Sequence, residues 1–90
     1  MVTSDSSLVE AKVRTILSDV LGVSQERSTS FTADTGLFGT LPELDSMAVA
    51  GLLTELEDRL GITIEDDEVD GEMMETFGSL VSFCTAKAGA

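Results

Sequence analysis

The sequence predicts an all-α domain, a small four-helix bundle with a long loop between helices 1 and 2 and a short helix 3. Apolar residues recur at helical spacing in separate segments, and glycine or clusters of polar residues lie between those segments. The one alternating run, Ile62-Thr63-Ile64, has no apparent partner strand. Ninety residues make one domain, so we expect a single domain over 1–90, with its core at about 7–85 and a frayed tail at 86–90.

The first helix is expected at about residues 6–21. Ser4, Asp5 and Ser6 are candidate N-caps, and Gly22 is a stop signal. Between them, one apolar stripe contains Val9, Val13, Ile16, Leu17, Val20 and Leu21. This stripe predicts a helix with one face in the core.

A connection rich in serine, threonine and glycine follows, from Val23 to Leu44. Loops this long are uncommon in compact domains and are often functional. We expect spaced apolar residues to pin the loop to the core: Phe31, Leu37, Phe38 and Leu41. The alternative is a disordered linker, against which the adjacent Leu37-Phe38 pair argues.

The second helix is expected from about Ser46 to Leu60, with Asp45 as its N-cap and Gly61 at its end. Its buried stripe is predicted to contain Val49, Leu53, Leu56 and Leu60, with Leu52 beside them. Gly51 inside the helix costs up to ~1 kcal/mol relative to alanine. It is either tolerated there or permits the close approach of a neighbour or partner.

The last third of the chain is expected to contain two further helices. Ile62 and Ile64 are predicted to be buried by an extended loop, and a short third helix is expected at about 67–73. The last helix starts near Thr76 and turns its apolar residues inward: Phe77, Leu80, Val81 and Cys84. We interpret Cys84 as a small buried hydrophobe.

The formal net charge is −12, from 17 acidic and 5 basic residues. Nucleic acid and anionic membrane surfaces are poor partners for such a chain, because they require clustered lysine and arginine. The charge favours protein partners with basic docking patches. An acidic surface that only maintains solubility is the alternative.

The composition contains few groups that could do chemistry. Histidine is absent and Cys84 is the one cysteine, so an internal disulfide is excluded and neither a metal site nor an enzyme is expected. The two lysines, Lys12 and Lys87, lie far along the chain from Ser46, the serine at the start of the second predicted helix, so neither is expected to act as its general base. The longest apolar run, Ala48 to Leu53, is far shorter than a membrane span, and residues 1–10 lack signal-peptide features, so we expect a cytoplasmic protein.

The acidic run from Asp66 to Asp70 partly matches the residue pattern of a calcium-binding loop. Counted from Asp66, acidic residues occupy positions one, three and five, and Gly71 occupies position six. Position twelve is Phe77 rather than the required glutamate, and the entering helix is missing. The run is therefore expected to be a solvated acidic face.

Asp45 and Ser46 form the segment with the clearest chemical potential. A serine in the first turn of a helix has an exposed hydroxyl beside unpaired N–H groups and a partial positive charge that suit a phosphate. A phosphodiester-linked group could be attached there. An isolated Asp-Ser pair usually has only a structural role. Whether Ser46 also has a chemical role therefore has to be judged from the segments around it.

The segments "DTGLF", "ELDSMAVAGLLTELEDRLGI" and "TFGSLVSF" together resemble the acyl carrier protein family, including its peptidyl and aryl carriers, over roughly residues 7–85. The resemblance implies that a phosphopantetheinyl transferase attaches 4′-phosphopantetheine from coenzyme A to Ser46. The thiol of this arm would carry an acyl or aminoacyl group as a thioester and present it to acyl-loading and acyl-transferring enzymes. Asp45 would support magnesium binding during arm transfer. A stand-alone monomer is expected.

This chain departs from the family pattern beside the serine. Pro42-Glu43 stands where glycine is usual, Met47 replaces a leucine, and Ala48 and Gly51 occupy positions that are often acidic. The departures favour a dedicated pathway over standard fatty-acid synthesis. The expected partner-docking residues are Glu43, Met47, Glu57 and Asp58. The expected wall of an acyl pocket consists of Val49, Leu53, Leu56, Ile64 and Met74.

Two other functions remain open at this point. A non-covalent acidic helical protein-interaction module would use the net charge and would leave Ser46 without a role. A calcium-responsive helical protein would use the acidic run, although Phe77 weakens that hypothesis.

Overall fold

The computed structural model describes the backbone of residues 2–89 and the side chains of residues 8–88. This part of the chain contains four α-helices: α1 (Val2–Leu21), α2 (Gln25–Ser30), α3 (Ser46–Leu60) and α4 (Phe77–Gly89). A 3₁₀ turn, Asp66–Glu68, lies between α3 and α4. No β-strand forms among these residues, whose one β-bridge pairs Gly36 with Thr76. The predicted all-α fold is confirmed.

Helix α1 packs against each of the other three helices. It ends at Leu21 as predicted but starts at Val2, before the expected residue 6. Gly22 has a left-handed φ of 73° and donates its N–H to the Ser18 carbonyl at 2.9 Å. Four residues of the predicted stripe are buried: Val9, Val13, Ile16 and Leu17.

Helix α2 lies inside the segment that we expected to be a loop. Ser24 caps its N-terminus by accepting a hydrogen bond from the Arg27 N–H. At its other end, Arg14 of α1 donates to the Ser28 carbonyl at 2.6 Å and to the Thr29 carbonyl at 3.2 Å. Carbonyls at a helix end need such donors, so contacts outside the segment complete this six-residue helix.

Helix α3 has the predicted bounds. The Asp45 carboxylate accepts a hydrogen bond from the Ala48 N–H at 2.9 Å, and Gly61 ends the helix with a left-handed φ of 66°. Leu52 and Leu56 are its fully buried residues. The rest of the expected stripe is half-buried against the core: Val49, Leu53 and Leu60.

The prediction of a short third helix at about 67–73 is wrong. Glu65 and Glu68 form a reciprocal capping box around a single 3₁₀ turn, and Val69 is extended. The Asp70 carboxylate then accepts a hydrogen bond from the Met73 N–H at 2.9 Å and starts a separate turn. Ile62 and Ile64, expected to be buried, are half-buried against the core.

Helix α4 starts one residue after Thr76, which bonds reciprocally with Ser79: the Thr76 hydroxyl accepts from the Ser79 N–H and the Ser79 hydroxyl accepts from the Thr76 N–H. Its inward residues Phe77, Leu80 and Cys84 are buried, and Val81 is half-buried. The helix continues to Gly89, through the segment from Ala86 where we expected a frayed tail.

Candidate functional site

Ser46 is the first residue of α3 and is exposed to solvent. Asp45 accepts two hydrogen bonds from the first turn, from the Ala48 N–H to its carboxylate and from the Val49 N–H to its carbonyl at 3.0 Å. The N–H groups of Ser46 and Met47 have no acceptor among the described residues. The exposed hydroxyl therefore lies beside two unpaired donors at a positive helix end.

A short anchored turn leads the chain to this position. Leu41 and Leu44 are buried, and the Leu44 N–H donates to the Leu41 carbonyl at 3.1 Å. Between them, the Glu43 carboxylate pairs with Arg27 of α2 at 2.6 Å and 3.3 Å. The hydrogen bond from Arg27 lowers the pKa of Glu43 below its usual value. Both a buried apolar contact and an ion pair thus hold the residues just before Asp45.

Residues 33–38, which we call the strap, are hydrogen-bonded to residues 74–78 at the start of α4. The main chain of the strap makes four bonds of 2.8–3.0 Å with that segment: Leu37 N–H to Glu75 O, Phe38 N–H to Met74 O, Phe77 N–H to Thr35 O and Gly78 N–H to Ala33 O. These four backbone bonds, together with the buried Leu37 side chain, hold the strap against the start of α4.

A cleft of about 210 Å³ opens between the strap, α3 and the turn before α4. Its lining consists of Phe38, Val49, Val69, Asp70, Gly71 and Met74. Val49 follows Ser46 by three residues, which is less than one helical turn and about 5 Å along the helix axis. The cleft therefore begins next to the exposed serine.

The expected acyl-pocket residues are distributed between this cleft and the core. Val49 and Met74 line the cleft. Leu56 is fully buried inside the core, and Leu53 and Ile64 pack against the core outside the cleft lining.

Sequence reasoning missed Phe38 as a cleft residue. We expected it to be buried, but its side chain is 45% exposed whereas Leu37 is fully buried. The backbone enters a turn at Phe38, and no signal in the Leu37-Phe38 pair indicated which of the two side chains would be buried. No sequence signal indicated Val69, Asp70 and Gly71.

The expected docking residues have different environments. Met47 is 84% exposed and Asp58 is exposed. The half-buried Glu57 accepts a hydrogen bond from the Ile64 N–H at 2.8 Å, and the half-buried Glu43 is paired with Arg27. Two of these four side chains thus have partners within the chain.

The acidic run after α3 is used for local contacts. Glu68 caps the 3₁₀ turn and pairs with Lys87 of α4 at 2.8 Å, an interaction that lowers the pKa of Glu68. In the part of the chain that the structure describes, no group of three or more cysteine, aspartate or glutamate residues is arranged to hold a metal ion. The same part contains no helix long and apolar enough to cross a membrane.

A family model described as "Phosphopantetheine attachment site" matches residues 11–84. The chain belongs to this family. As a member, it is a carrier protein with a 4′-phosphopantetheine prosthetic group. Proteins of this kind interact with phosphopantetheinyl transferases and biosynthetic enzymes and are generally non-catalytic.

A solved structure agrees with this assignment. The carrier is 44% identical to the holo acyl carrier protein from Nitrosomonas europaea, whose solution NMR structure superimposes with a TM-score of 0.81. The match covers 91% of this chain and 96% of the other. The resemblance to the acyl carrier protein family is confirmed.

The residues around Ser46 fit the prosthetic group. An exposed hydroxyl can form the phosphate ester, the unpaired N–H groups of Ser46 and Met47 can donate to phosphate oxygens, and an apolar cleft lies next to them. When bound, the group supplies the thiol that forms thioesters.

Proposed function

We propose that Ser46 carries the phosphopantetheine arm, and that this carrier delivers acyl or aminoacyl groups as thioesters to partner enzymes without catalysing a reaction itself. The observation that carries the proposal is the exposed serine at the α3 N-terminus, beside two N–H groups without acceptors in the described chain. A flexible arm tethered there raises the effective concentration of the thioester at a docked enzyme.

Asp45 has two roles in this proposal. One of its carboxylate oxygens holds the Ala48 N–H and thereby fixes the first turn of α3. The other oxygen has no hydrogen-bond donor among the described residues and is available to support magnesium during arm transfer. The same side chain thus positions the serine and contributes negative charge beside it.

No side chain in the part that the structure describes is placed as a general base for Ser46. No described side chain hydrogen-bonds the Ser46 hydroxyl, and Lys87 is already paired with Glu68 on the other side of the 3₁₀ turn. Activation of the serine therefore has to come from a separate transferase. This supports a carrier that has no catalysis of its own.

We propose that partner enzymes contact Met47 and Asp58, the two expected docking residues that are exposed without a described partner. Residues 46–54 contain no charged side chain, although the chain has a net charge of −12. Partners with basic patches would be attracted by the whole protein, by Asp45 and by Asp58, while the first nine residues of α3 contribute no charged side chain. This distribution supports a dedicated pathway, in which the carrier acts as a monomer.

The proposal is tested by intact-protein mass after incubation with coenzyme A, magnesium and a broad-specificity phosphopantetheinyl transferase. The wild type should gain one phosphopantetheine, and Ser46→Ala should gain none while its circular dichroism stays nearly unchanged. Ser82→Ala is the matched control, because Ser82 is an exposed serine on α4, and it should load like the wild type.

Two results would contradict the proposal. Loading of Ser46→Ala would show that another residue is modified. No loading of the wild type, with the transferase active on a control carrier, would favour the non-covalent acidic interaction module.

A further inference from the structure

We propose that Arg27 is a specificity-determining residue of this carrier, because it holds the Glu43 carboxylate and keeps that negative charge from partner enzymes with basic patches. The inference rests on the proposed attachment of the arm at Ser46. Arg27 Nη1 lies 2.6 Å from Glu43 Oε2, and Arg27 Nη2 lies 3.3 Å from Glu43 Oε1. One planar guanidinium thus engages both carboxylate oxygens, which fixes the pair better than a single contact does.

The Arg27–Glu43 ion pair lies beside the attachment site. Glu43 precedes Ser46 by three residues, so the Cα atoms of these two residues are at most about 11 Å apart. The buried side chains of Leu41 and Leu44 anchor the chain on both sides of Glu43. An enzyme that reaches the Ser46 hydroxyl therefore comes close to this pair.

Both members of the ion pair are accessible to another protein. The Arg27 side chain is 46% exposed, and the Glu43 side chain is 30% exposed. An accessible carboxylate next to the serine would attract a basic patch, but the adjacent guanidinium cancels its net charge. Salt screens the field of the remaining dipole within about 10 Å. A docking enzyme thus meets a neutral pair rather than a free acid.

Among the described residues, Arg27 is the basic side chain that pairs with the segment leading to Ser46. The other ion pairs are elsewhere and join Glu10 to Arg14, Asp19 and Glu55 to Arg59, and Glu68 to Lys87. Residues 46–54 contain no charged side chain. With Glu43 neutralised, the surface around the serine is less acidic than the net charge of −12 implies.

This arrangement selects partner enzymes by withholding an attraction. An enzyme that binds through a strongly basic patch gains little from a neutralised Glu43, whereas an enzyme with a less positive contact surface loses nothing. Specificity is a difference of affinities, so weaker binding to the first class favours the second. A purely structural ion pair predicts the opposite result, because breaking it would disturb the turn before Ser46 and slow loading.

The experiment measures kcat and KM for arm transfer from coenzyme A, with magnesium and a phosphopantetheinyl transferase whose docking surface is rich in lysine and arginine. We expect Arg27→Gln to lower the KM for the carrier by about threefold at low salt, and this gain should disappear at high salt. Glu43→Gln, which leaves Arg27 unpaired, should raise the KM. The double variant Arg27→Gln/Glu43→Gln should return to the wild-type KM, because both charges are removed together.

Lys12→Gln is the matched control. It changes the net charge by the same amount as Arg27→Gln, but Lys12 is an exposed residue of α1 that forms no ion pair with a described side chain. Its KM should stay near the wild-type value, and melting temperatures should show that every variant is folded.

Three results would overturn this inference alone. They are an unchanged or raised KM for Arg27→Gln, an equal fall of KM in Lys12→Gln, and a fall in Arg27→Gln that persists at high salt or in the double variant. A wild type that takes up no arm would overturn the proposed function as well.

Discussion

Glu57 accepts a hydrogen bond from the main-chain N–H of Ile64, with 2.8 Å between Oε2 and the nitrogen. The bond ties the last turns of α3 to the extended segment that follows the helix. Asp58, the residue after Glu57, is exposed, and no hydrogen bond joins the Asp58 side chain to another described residue. Two adjacent acidic residues on the same helix therefore have different roles.

Glu57→Ala should destabilise the fold more than Asp58→Ala. Removing the Glu57 carboxylate leaves the partly buried Ile64 N–H without its acceptor, which costs about 1–2 kcal/mol. Replacing the exposed Asp58 should change the free energy of unfolding by less than about 0.5 kcal/mol. Urea unfolding of both variants gives the comparison, and equal losses would show that the Glu57 bond contributes nothing to stability.

Asp58→Lys should slow arm transfer by a phosphopantetheinyl transferase, and the effect should be larger at low salt than at high salt. The reason is that salt screens interactions between exposed charges. Asp67→Lys, which makes the same change of charge on the 3₁₀ turn, is the matched control. Loading rates measured over a range of salt concentrations test this, and identical rates for the two variants would show that the α3 acid has no special part in docking.

The α3 helix could be predicted to the residue because its start and stop signals are local. Asp45 caps the first turn through its own side chain, and Gly61 supplies the left-handed conformation at the end. Helix α2 could not be predicted in this way. It has one buried residue, Ser28, and its last carbonyls are held by Arg14, fourteen residues earlier in the sequence.

Arg14 also shows why contacts between residues far apart in the chain could not be predicted from the sequence. Its guanidinium lies 4.6 Å from the centre of the Phe77 ring, so one side chain joins α1, the end of α2 and the start of α4. Nothing in the spacing of residues predicts that meeting. The cleft was only partly predictable for the same reason, since the orientation of Phe38 depends on pairing between the strap and Met74.

Substitution of glycine by alanine should have opposite effects on stability at Gly51 in α3 and at Gly78 in α4. At Gly51, an added Cβ would meet nothing closer than a Val20 methyl at 4.0 Å, so Gly51→Ala should stabilise α3 by up to ~1 kcal/mol. At Gly78, the added Cβ would lie 2.8 Å from the Ala33 carbonyl oxygen, so Gly78→Ala should destabilise by forcing the strap away from α4. Thermal unfolding of the two variants tests the pair, and a destabilised Gly51→Ala would point to a contact that this fold does not contain.

Cys84 should make the stability of the protein fall at alkaline pH. Burial raises the pKa of its thiol to about 12, whereas an unfolded cysteine has a pKa of about 8.5. Between these values the unfolded chain releases a proton that the folded chain keeps, so the free energy of unfolding falls by up to ~1.4 kcal/mol per pH unit. Below pH ~8 the thiol is protonated in both states, and its contribution is constant.

Cys84→Ala isolates this contribution, because the other charges of the chain are unchanged. The variant should be less stable at neutral pH, since it leaves a small cavity at a fully buried position. Its stability should nevertheless fall less steeply than that of the wild type as pH rises above ~8.5. Urea unfolding at a series of pH values measures both slopes, and parallel slopes would show that the Cys84 thiol ionises equally in the folded and unfolded states.

Because the Cys84 thiol is buried, labelling of free thiols can be used to detect the phosphopantetheine arm. A thiol with a pKa of about 12 and no exposed surface should resist alkylation in the folded protein. The carrier with an arm that bears no acyl group should therefore take one label, on its free phosphopantetheine thiol, and Ser46→Ala should take none until it is unfolded. Rapid labelling of folded Ser46→Ala would mean that Cys84 is accessible, and thiol labelling could then not distinguish a carrier with the arm from one without it.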